Sequence, residues 1–390
     1  MKSDKAYSIT YDQHDQTLVF CGRILPQSYR EMQDTTSKLV EAIEQTQGIL
    51  YMDFKRLSKI NNTAFKGLAS FLNWISKNRP ELQVKIITTS VITWANKKFS
   101  LLAGISPKFT VEQYDKDFYP GQGAIENENF IPILRAQTRI TWQQEQQILK
   151  HHGLKPDLRV ADICCGIGDF AVLVHKVFKP KELVAVDHSR PSLEYARQVA
   201  KEFGISTIDY LYGDAASLML EDNRFDFVTS RLSLQIFDKP ELILRELYRI
   251  CKPGGRVYLT NETYSKCFGE PHSKSVSWTY KEASRLFGGV GMDLEFGTKM
   301  SRYLQDCNFT NIMIEPMILT NLNVSPEDFV KVIRSWKEYV VGELAANAGE
   351  DQDFCTKLKA GFNDHISTIT HAKGFGGWPI WVGSGMKPFK

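Results

Sequence analysis

The 390-residue sequence has no long apolar run, no cysteine framework and no typical metal-ligand spacing. It contains no stretch of 18 apolar residues, and its first residues, MKSDKAYSIT, lack the apolar core of a signal peptide, which predicts a soluble, cytoplasmic protein without a membrane span. The seven cysteines are odd in number and form no CxxC pair, so neither a disulfide framework nor a zinc site is predicted. The eight histidines include the neighbours His151 and His152 but no HxxxH pair, and we expect no metal.

An excess of charge of one sign is also absent. Lysine and arginine number 48 against 45 acidic residues, the net charge is +3, and no run of five basic residues occurs. This balance gives no electrostatic footprint for nucleic acid, so we expect no nucleic-acid partner. The 43% apolar and 12% aromatic residues suffice for packed cores, and the length suggests two or three domains.

The first 114 residues alternate between β and α patterns. Strands are predicted at 6–12, 17–22, 48–54, 84–89 and 109–114, and helices at 28–45, 62–76 and 92–103. Because strands alternate with helices after an initial β pair, the pattern predicts a mainly parallel sheet with an N-terminal hairpin. Residues 115–129 are rich in glycine, proline and acids and indicate a boundary between domains at 1–117 and 118–390.

The segments Met52–Phe54 and Ile60–Phe65 resemble the strand, loop and helix start of STAS domains. The resemblance implies a module for homodimerisation or protein docking. Where that family carries its phospho-acceptor, this chain has Asn62, which cannot be phosphorylated. The neighbouring Thr63 has a hydroxyl that is predicted to cap the helix, and we expect no working phospho-switch.

A strand, a glycine-rich turn and a helix follow one another from residue 159. The strand RVADI contains Asp162, and the turn CCGIGD contains Gly166 and Gly168. Such a turn exposes backbone N–H groups and lets the chain approach a ligand closely. The next strand, LVAV, ends in Asp187, where a carboxylate can accept both hydroxyls of a ribose.

Three more strands continue this pattern. The strand at 208–212 leads into Gly213, Asp214 and Ala215, where the acid can accept from an adenine amino group and the following N–H can donate to the ring. Strands at 225–228 and 256–260 follow. This alternation predicts helices on both faces of the sheet, with the ligand at the carboxyl ends of the strands.

Residues 130–390 resemble a class I S-adenosylmethionine-dependent methyltransferase of the small-molecule type. The resemblance implies an α/β fold: a Rossmann-like seven-stranded sheet with helices on both faces, preceded by the smaller STAS-like α/β domain. It also implies S-adenosylmethionine as cofactor, S-adenosylhomocysteine as product, and no metal. The chain departs from the family motif at Cys164, where a glycine is usual. A NAD-binding domain is the competing interpretation, but its GxGxxG would end here in Ala171, and it lacks the Gly-Asp-Ala segment.

The resemblance assigns ten residues to the cofactor. These are Asp162, Gly166, Gly168, Asp187, His188, Asp214, Ala215, Arg231, Thr141 and Trp142. By this resemblance, Asp162 and Gly166 would face the methionyl part of the cofactor. Thr141 and Trp142 lie on a helix predicted over 130–151, which either folds over the cofactor, as in the family, or only packs against the core.

The acceptor is expected to meet insertions at about 262–300 and 325–370, where the family places substrate recognition. Four aromatic residues are candidates for binding it, although each ring could equally be core: Tyr264, Trp278, Tyr280 and Phe287. Glu262, at the end of the fifth strand, and His272 are the candidate bases.

A small-molecule acceptor is the leading interpretation, with the attacking N, O or C atom left open. The segment Ser230–Ser233 reads SRLS and not the Asn-Pro-Pro-Tyr type that binds planar amides and adenine amines. A protein acceptor is the second possibility. A third is a catalytically silent protein of a STAS-type signalling system that senses the cofactor or binds a partner.

Overall fold

The computed structural model describes residues 7–13, 16–88, 95–113, 131–345 and 348–389. The chain divides into two compact units, Met1–Lys116 with Ala216–Met219, and Asp117–Ala215 with Leu220–Lys390. The predicted linker at 115–129 lies outside the described residues. Within the described ranges, no helix is both long enough and apolar enough to span a membrane.

The N-terminal unit is one five-stranded sheet with helices between its strands. Its elements are β1 (Tyr7–Asp12), β2 (Thr17–Ile24), α1 (Tyr29–Ala42), β3 (Ile49–Ile60), α2 (Asn62–Asn78), β4 (Gln83–Thr88), α3 (Ala95–Ala103) and β5 (Phe109–Gln113). The strand order is β1-β2-β3-β4-β5; β1 and β2 are antiparallel, and the remaining pairs are parallel. The predicted hairpin and parallel sheet are therefore confirmed, whereas membership of the STAS family stays a prediction.

Strand β3 is longer than the sequence pattern predicts. It continues past Phe54 to Ile60, through a stretch that we expected to be a loop. Two register shifts in its pairing with β2 interrupt the alternation of buried and exposed side chains, so Leu57 and Ile60 are both buried although three residues apart. Such bulges remove the period of two by which a strand is recognised in a sequence.

Helix α2 begins at a cap that differs from the predicted one. The side chain of Asn61 accepts a hydrogen bond from the N–H of Ala64 at 2.9 Å and donates to the carbonyl of Pro26 at 3.0 Å. The expectation that Thr63 caps this helix was wrong by two residues. An asparagine is among the best N-caps because its short side chain reaches the free N–H groups of the first turn.

The C-terminal unit contains eight strands and eight α-helices among its described residues. The strands are β6 (Arg159–Ile163), β7 (Glu182–Asp187), β8 (Ile208–Tyr212), β9 (Phe225–Arg231), β10 (Cys251–Glu262), β11 (Phe268–Glu270), β12 (Thr310–Thr320) and β13 (Phe375–Met386). The helices are α4 (Ile131–His151), α5 (Asp169–Phe178), α6 (Arg190–Glu202), α7 (Pro240–Ile250), α8 (Ser273–Gly289), α9 (Met300–Asp306), α10 (Pro326–Tyr339) and α11 (Gln352–Thr370).

Seven of these strands form a continuous sheet in the order β12-β13-β10-β9-β6-β7-β8. The five strands from β8 to β10 are parallel, and β13 is antiparallel to both of its neighbours. The Rossmann-like seven-stranded sheet is thus confirmed, and β11 adds a short eighth strand beside β13. Because parallel crossovers are right-handed, α5 and α6 lie on one face and α7 on the other.

The strand order reverses between β6 and β9, which are neighbours in the sheet but not in the sequence. Ligands bind at such a switch point, outside the carboxyl ends of the strands. The core below this edge is built from short apolar strands; four of the five residues of β6 are buried. The apolar core thereby holds the strand ends in fixed positions at the predicted ligand site.

Candidate functional site

A cavity of ≈170 Å³ lies where β6, β7 and β9 end. Six of the ten predicted cofactor residues line it: Asp162, Gly166, Asp187, His188, Ala215 and Arg231. They come from four strand ends that are far apart in the sequence, so the sheet brings them together. The other four, Gly168, Asp214, Thr141 and Trp142, are not among the described residues that line this cavity.

The turn after β6 adopts the left-handed conformation three times, at Cys164 (φ +63°), Gly166 (φ +53°) and Gly168 (φ +75°). Cys164 therefore occupies this conformation although the family motif has glycine there, at a cost that L-residues other than Asn and Asp rarely accept. The N–H of Cys165 donates to the carbonyl of Val186 at 3.0 Å and ties the turn to β7. Gly168 caps α5 rather than lining the cavity.

Asp187 joins the turn to the end of β7. One carboxylate oxygen accepts from the N–H of Gly166 at 2.7 Å and the other from the N–H of Ser189 at 2.9 Å. Burial raises the pKa of Asp187, while the two backbone N–H groups lower it. A carboxylate has about four acceptor positions, so both oxygens can still accept from the two hydroxyls of a ribose.

Asp162 offers the cavity an acceptor that the protein leaves unsatisfied. Its Oδ1 accepts from the hydroxyl of Thr229 at 2.7 Å, whereas its buried Oδ2 has no hydrogen-bond partner among the described residues. Burial raises the pKa of Asp162 to about 7. A buried, unsatisfied carboxylate oxygen is costly, and a positively charged ligand group relieves that cost. The ammonium and sulfonium groups of S-adenosylmethionine fit this requirement.

Arg231 is held by groups behind the cavity wall. Its guanidinium donates to both oxygens of the buried Glu145, at 2.7 and 2.5 Å, and to the hydroxyl of Thr141 at 3.0 Å. It also lies over the ring of Phe170, with 4.2 Å from Cζ to the ring centroid. Thr141 therefore contacts Arg231 and not the cavity, because helix α4 turns this side chain towards the core.

Trp142 packs inside the unit, with its ring edge-on to Phe170 at 6.0 Å and to Phe178 at 6.4 Å between centroids. Its contact with the cofactor stays a prediction, since Leu134, Gln137 and Thr138 supply the part of α4 that lines the described cavity. Asp214 is buried next to Ala215 and does not line the cavity, so its contact with adenine stays a prediction.

The two candidate bases also lie away from the described cavity wall. Glu262 is buried, and its carboxylate accepts from the side-chain amide of Gln235 at 2.5 Å, while its own N–H donates to the amide oxygen of Gln235 at 2.9 Å. Burial raises the pKa of Glu262 to about 8, against the lowering effect of Gln235. His272 immediately precedes α8, where its carbonyl accepts from the N–H of Val276.

Three of the four predicted acceptor aromatics are buried against one another, and the fourth, Trp278, is half-buried. Tyr264 lies 5.5 Å from Tyr280 and 5.9 Å from Phe287 between ring centroids, and all three rings are buried. Trp278 packs on Phe354, and Lys357 places its Nζ 4.1 Å from the Trp278 ring centroid. Their contact with the acceptor stays a prediction, and the structure shows that side chains of the two insertions pack around these rings.

Several cavity-lining residues were not predicted as cofactor or substrate contacts. Cys164 and Cys165 line the cavity from the glycine-rich turn, and Ser233, Ile236 and Phe237 line it from the segment after β9. The sequence SRLSLQIF gives one usable signal for the second group, namely small and apolar residues directly after a strand that ends at the ligand edge. Gln235 lies between Ser233 and Ile236 of this segment and is held by Glu262, so Glu262 contacts the segment that lines the cavity without lining the cavity itself.

A model of the methyltransferase domain matches residues 161–259 of this chain. Demethylmenaquinone methyltransferase of Anoxybacillus flavithermus is 25% identical over 205 residues, which are 47% of this chain and 82% of the relative. The Bacillus cytotoxicus protein of the same name is 24% identical over 221 residues, covering 50% and 89%. Phosphoethanolamine N-methyltransferase 2 of Haemonchus contortus, solved with S-adenosyl-L-methionine, has a TM-score of 0.45 and 16% identity over 99% of this chain and 96% of its own.

The matched segment runs from within β6 to within β10 and contains the glycine-rich turn and the three carboxylates that line the cavity, those of Asp162, Asp169 and Asp187. The unsatisfied oxygen of Asp162 and the free acceptor positions of Asp187 suit a positively charged nucleoside cofactor. The chain is an S-adenosylmethionine-dependent methyltransferase.

Proposed function

We propose that the chain transfers the methyl group of S-adenosylmethionine to a small-molecule acceptor. The observation that carries the proposal is the meeting of Asp162, Asp187 and Ala215 at one cavity whose remaining wall is partly apolar, through Ile236 and Phe237. Relatives named for methylation of demethylmenaquinone, a small molecule, support this acceptor class. The near-neutral charge balance offers no complement to a nucleic-acid acceptor.

The residues of this chain act mainly by holding the reactants in line. When bound, S-adenosylmethionine would supply an electrophilic methyl carbon, with the electrons of its carbon–sulfur bond left on sulfur as the acceptor's lone pair forms the new bond. Asp187 would hold the ribose and Asp162 the charged end, and together they would fix the direction of the methyl group. Such alignment can supply about 7–11 kcal/mol of the barrier. The Gln235–Glu262 pair keeps the wall at Ser233 and Ile236 in place.

A labelling experiment tests the proposal. The purified chain is incubated with isotopically labelled S-adenosylmethionine and a fractionated metabolite extract, and mass spectrometry detects labelled products. We expect label in a low-molecular-mass compound, lost in Asp187→Ala and retained in Asp209→Ala, which changes an exposed carboxylate on β8. Label confined to added protein would replace the proposal by a protein methyltransferase. Cofactor binding without any labelled product would replace it by a cofactor-sensing protein.

The N-terminal unit serves, in this proposal, as a STAS-like docking or homodimerisation module. The hairpin followed by parallel strands and the helix start at Asn61 support the assignment. Asn62 is exposed at the position where STAS domains carry their phospho-acceptor, so docking here does not depend on phosphorylation at that residue. Sedimentation of the full chain and of residues 118–390 tests this role: if both have the same oligomeric state and no protein partner is retained by the full chain alone, the assignment fails.

A further inference from the structure

Three potential metal ligands meet at one point outside the cofactor cavity. His151 ends α4 and is followed by His152, and both rings approach Glu315 on β12. Oε1 of Glu315 lies 3.0 Å from Nδ1 of His151 and 2.7 Å from Nε2 of His152, and the three ligand atoms lie within 4.8 Å of one another. None of the three is among the described residues that line the cofactor cavity.

The buried histidine is held in one orientation from behind. Only 1% of His152 is exposed, and its Nδ1 lies 2.7 Å from Oγ of Ser384 on β13. Ser384 also accepts from Arg256 at 2.8 Å. A hydroxyl oxygen can accept two hydrogen bonds, so Nδ1–H can donate to Ser384 and leave the Nε2 lone pair facing Glu315. Fixing the second ring nitrogen in this way is typical of histidines that bind metals.

The donor set indicates the class of ion. Two imidazole nitrogens and one carboxylate oxygen form the three-residue set found in zinc sites that keep a fourth position open. Calcium and magnesium prefer oxygen ligands only, whereas zinc, nickel, cobalt and copper accept this mixture. The side chain of His151 is 65% exposed, so an ion and a water molecule can reach the site from solvent.

We propose that His151, His152 and Glu315 bind one divalent transition-metal ion, with zinc as the representative, and that solvent completes its coordination. The ion would join the end of α4 to the edge strand β12. The same helix lines the cofactor cavity through Leu134 and Thr138. The bound ion would therefore fix that helix to β12, and metal binding would not depend on the methyl acceptor. The sequence did not predict this metal site because Glu315 follows His152 by 163 residues, so the three ligands form no local motif.

Metal titration of the full chain tests the proposal. After treatment with a chelator, the protein is titrated with Zn²⁺ by calorimetry and with Co²⁺ by visible absorption, which reports nitrogen and oxygen ligands directly. We expect one ion per chain, and at least about tenfold weaker binding in His151→Ala and in Glu315→Gln. The matched controls His371→Ala and Glu338→Gln change exposed residues elsewhere and should bind as the wild type does.

A stability measurement separates metal binding from misfolding. Saturating Zn²⁺ should raise Tm of the wild type by at least about 2 °C, because a ligand that binds only the folded state stabilises it, and should leave Tm of Glu315→Gln unchanged. Since His151 is exposed, His151→Ala should keep the metal-free Tm and serve as the second variant if Glu315→Gln folds poorly. Absence of stoichiometric binding in the wild type, or equal affinity in His151→Ala and the controls, would overturn the proposal.

Discussion

Arg231 and Glu145 form a two-pronged ion pair in the interior of the methyltransferase unit, with Nε–Oε1 and Nη2–Oε2 distances of 2.7 and 2.5 Å. Glu145 lies on α4 and Arg231 at the end of β9, so the pair fastens the helix to the strand edge that lines the cavity. The hydroxyl of Tyr258 donates to the same carboxylate at 3.3 Å. This buried ion pair thus stabilises the part of the cavity wall that Arg231 forms.

Removing the carboxylate charge should destabilise the fold strongly. Glu145→Gln leaves the guanidinium of Arg231 buried without a counter-ion, and breaking such a pair lowers the free energy of unfolding by about 3–5 kcal/mol. Urea denaturation measures the change. The control is Arg139→Ala, which breaks a more exposed pair with Asp328 and should cost about 1 kcal/mol or less. Equal losses in the two variants would show that the buried pair of Arg231 and Glu145 stabilises the fold no more than the exposed pair does.

Asp187 should determine the affinity for the ribose. Asp187→Ala removes two charge-assisted hydrogen bonds to the hydroxyls, worth about 1.5–3 kcal/mol each, and calorimetry with S-adenosylhomocysteine should show at least about tenfold weaker binding. Asp209→Ala, which removes an exposed carboxylate on the neighbouring strand, serves as the control. Wild-type affinity in Asp187→Ala would remove this residue from the ribose site.

Two glycines of the turn should differ in their tolerance of a methyl group. Both have positive φ, but a Cβ at Gly168 would lie 2.6 Å from Cβ of Ala196 and 3.0 Å from the ring of Tyr210, whereas a Cβ at Gly166 meets nothing within 4 Å. Gly166→Ala should therefore cost only the conformational penalty of about 1–2 kcal/mol, and Gly168→Ala a further 1–3 kcal/mol or so. Urea denaturation of both variants decides; equal losses would contradict the packing argument.

Glu262 should make stability fall as pH rises. Burial raises its pKa to about 8 from an ordinary 4.5, so the folded state binds more protons than the unfolded state between these values. The free energy of unfolding therefore decreases through this window and levels off above about pH 8. The glutamine side chain in the variant Glu262→Gln cannot titrate. The free energy of unfolding of the wild type, relative to that of the variant, should therefore fall by at least about 1.4 kcal/mol from pH 5 to pH 9. Parallel pH profiles would contradict this.

The same variant distinguishes a structural from a catalytic Glu262. A glutamine keeps an oxygen that can accept from Gln235, so a residue that only holds the wall should retain turnover within about tenfold. A general base would lose about two to four decades in turnover. Because Glu262 contacts Gln235 and is not on the described cavity wall, we expect the smaller loss.

The methyltransferase unit should bind cofactor without the N-terminal unit. Each unit has its own apolar core, and the described cavity-lining residues all fall between Leu134 and Phe237. Residues 118–390 should therefore bind S-adenosylmethionine with the affinity of the full chain, and residues 1–117 should unfold cooperatively alone. A cut that also removes α4, leaving residues 152–390, should abolish binding. Loss of binding in residues 118–390 would make the N-terminal unit an integral part of the site.

The sequence by itself determined the parts of the site that are contiguous in the chain. A short apolar strand, a turn with Gly166 and Gly168, and an acid at the next strand end occur together because backbone contact with a ligand needs small residues at fixed local spacing. These local rules predicted the order of strands and helices and the positions of Asp162 and Asp187. Six of the predicted cofactor residues line the cavity for this reason.

Only the tertiary structure decided which side chains meet across long separations. Glu145 and Arg231 are 86 residues apart, and aromatic rings of two insertions pack on one another, as Tyr264 does on Trp336. The bulges in β3 and the approach of Glu315 to two histidines are likewise features that only the tertiary structure decided. In each case the contact depends on how helices and strands pack together, and the local sequence pattern does not specify this packing. Burial and pairing energies depend on the whole fold and not on spacing along the chain.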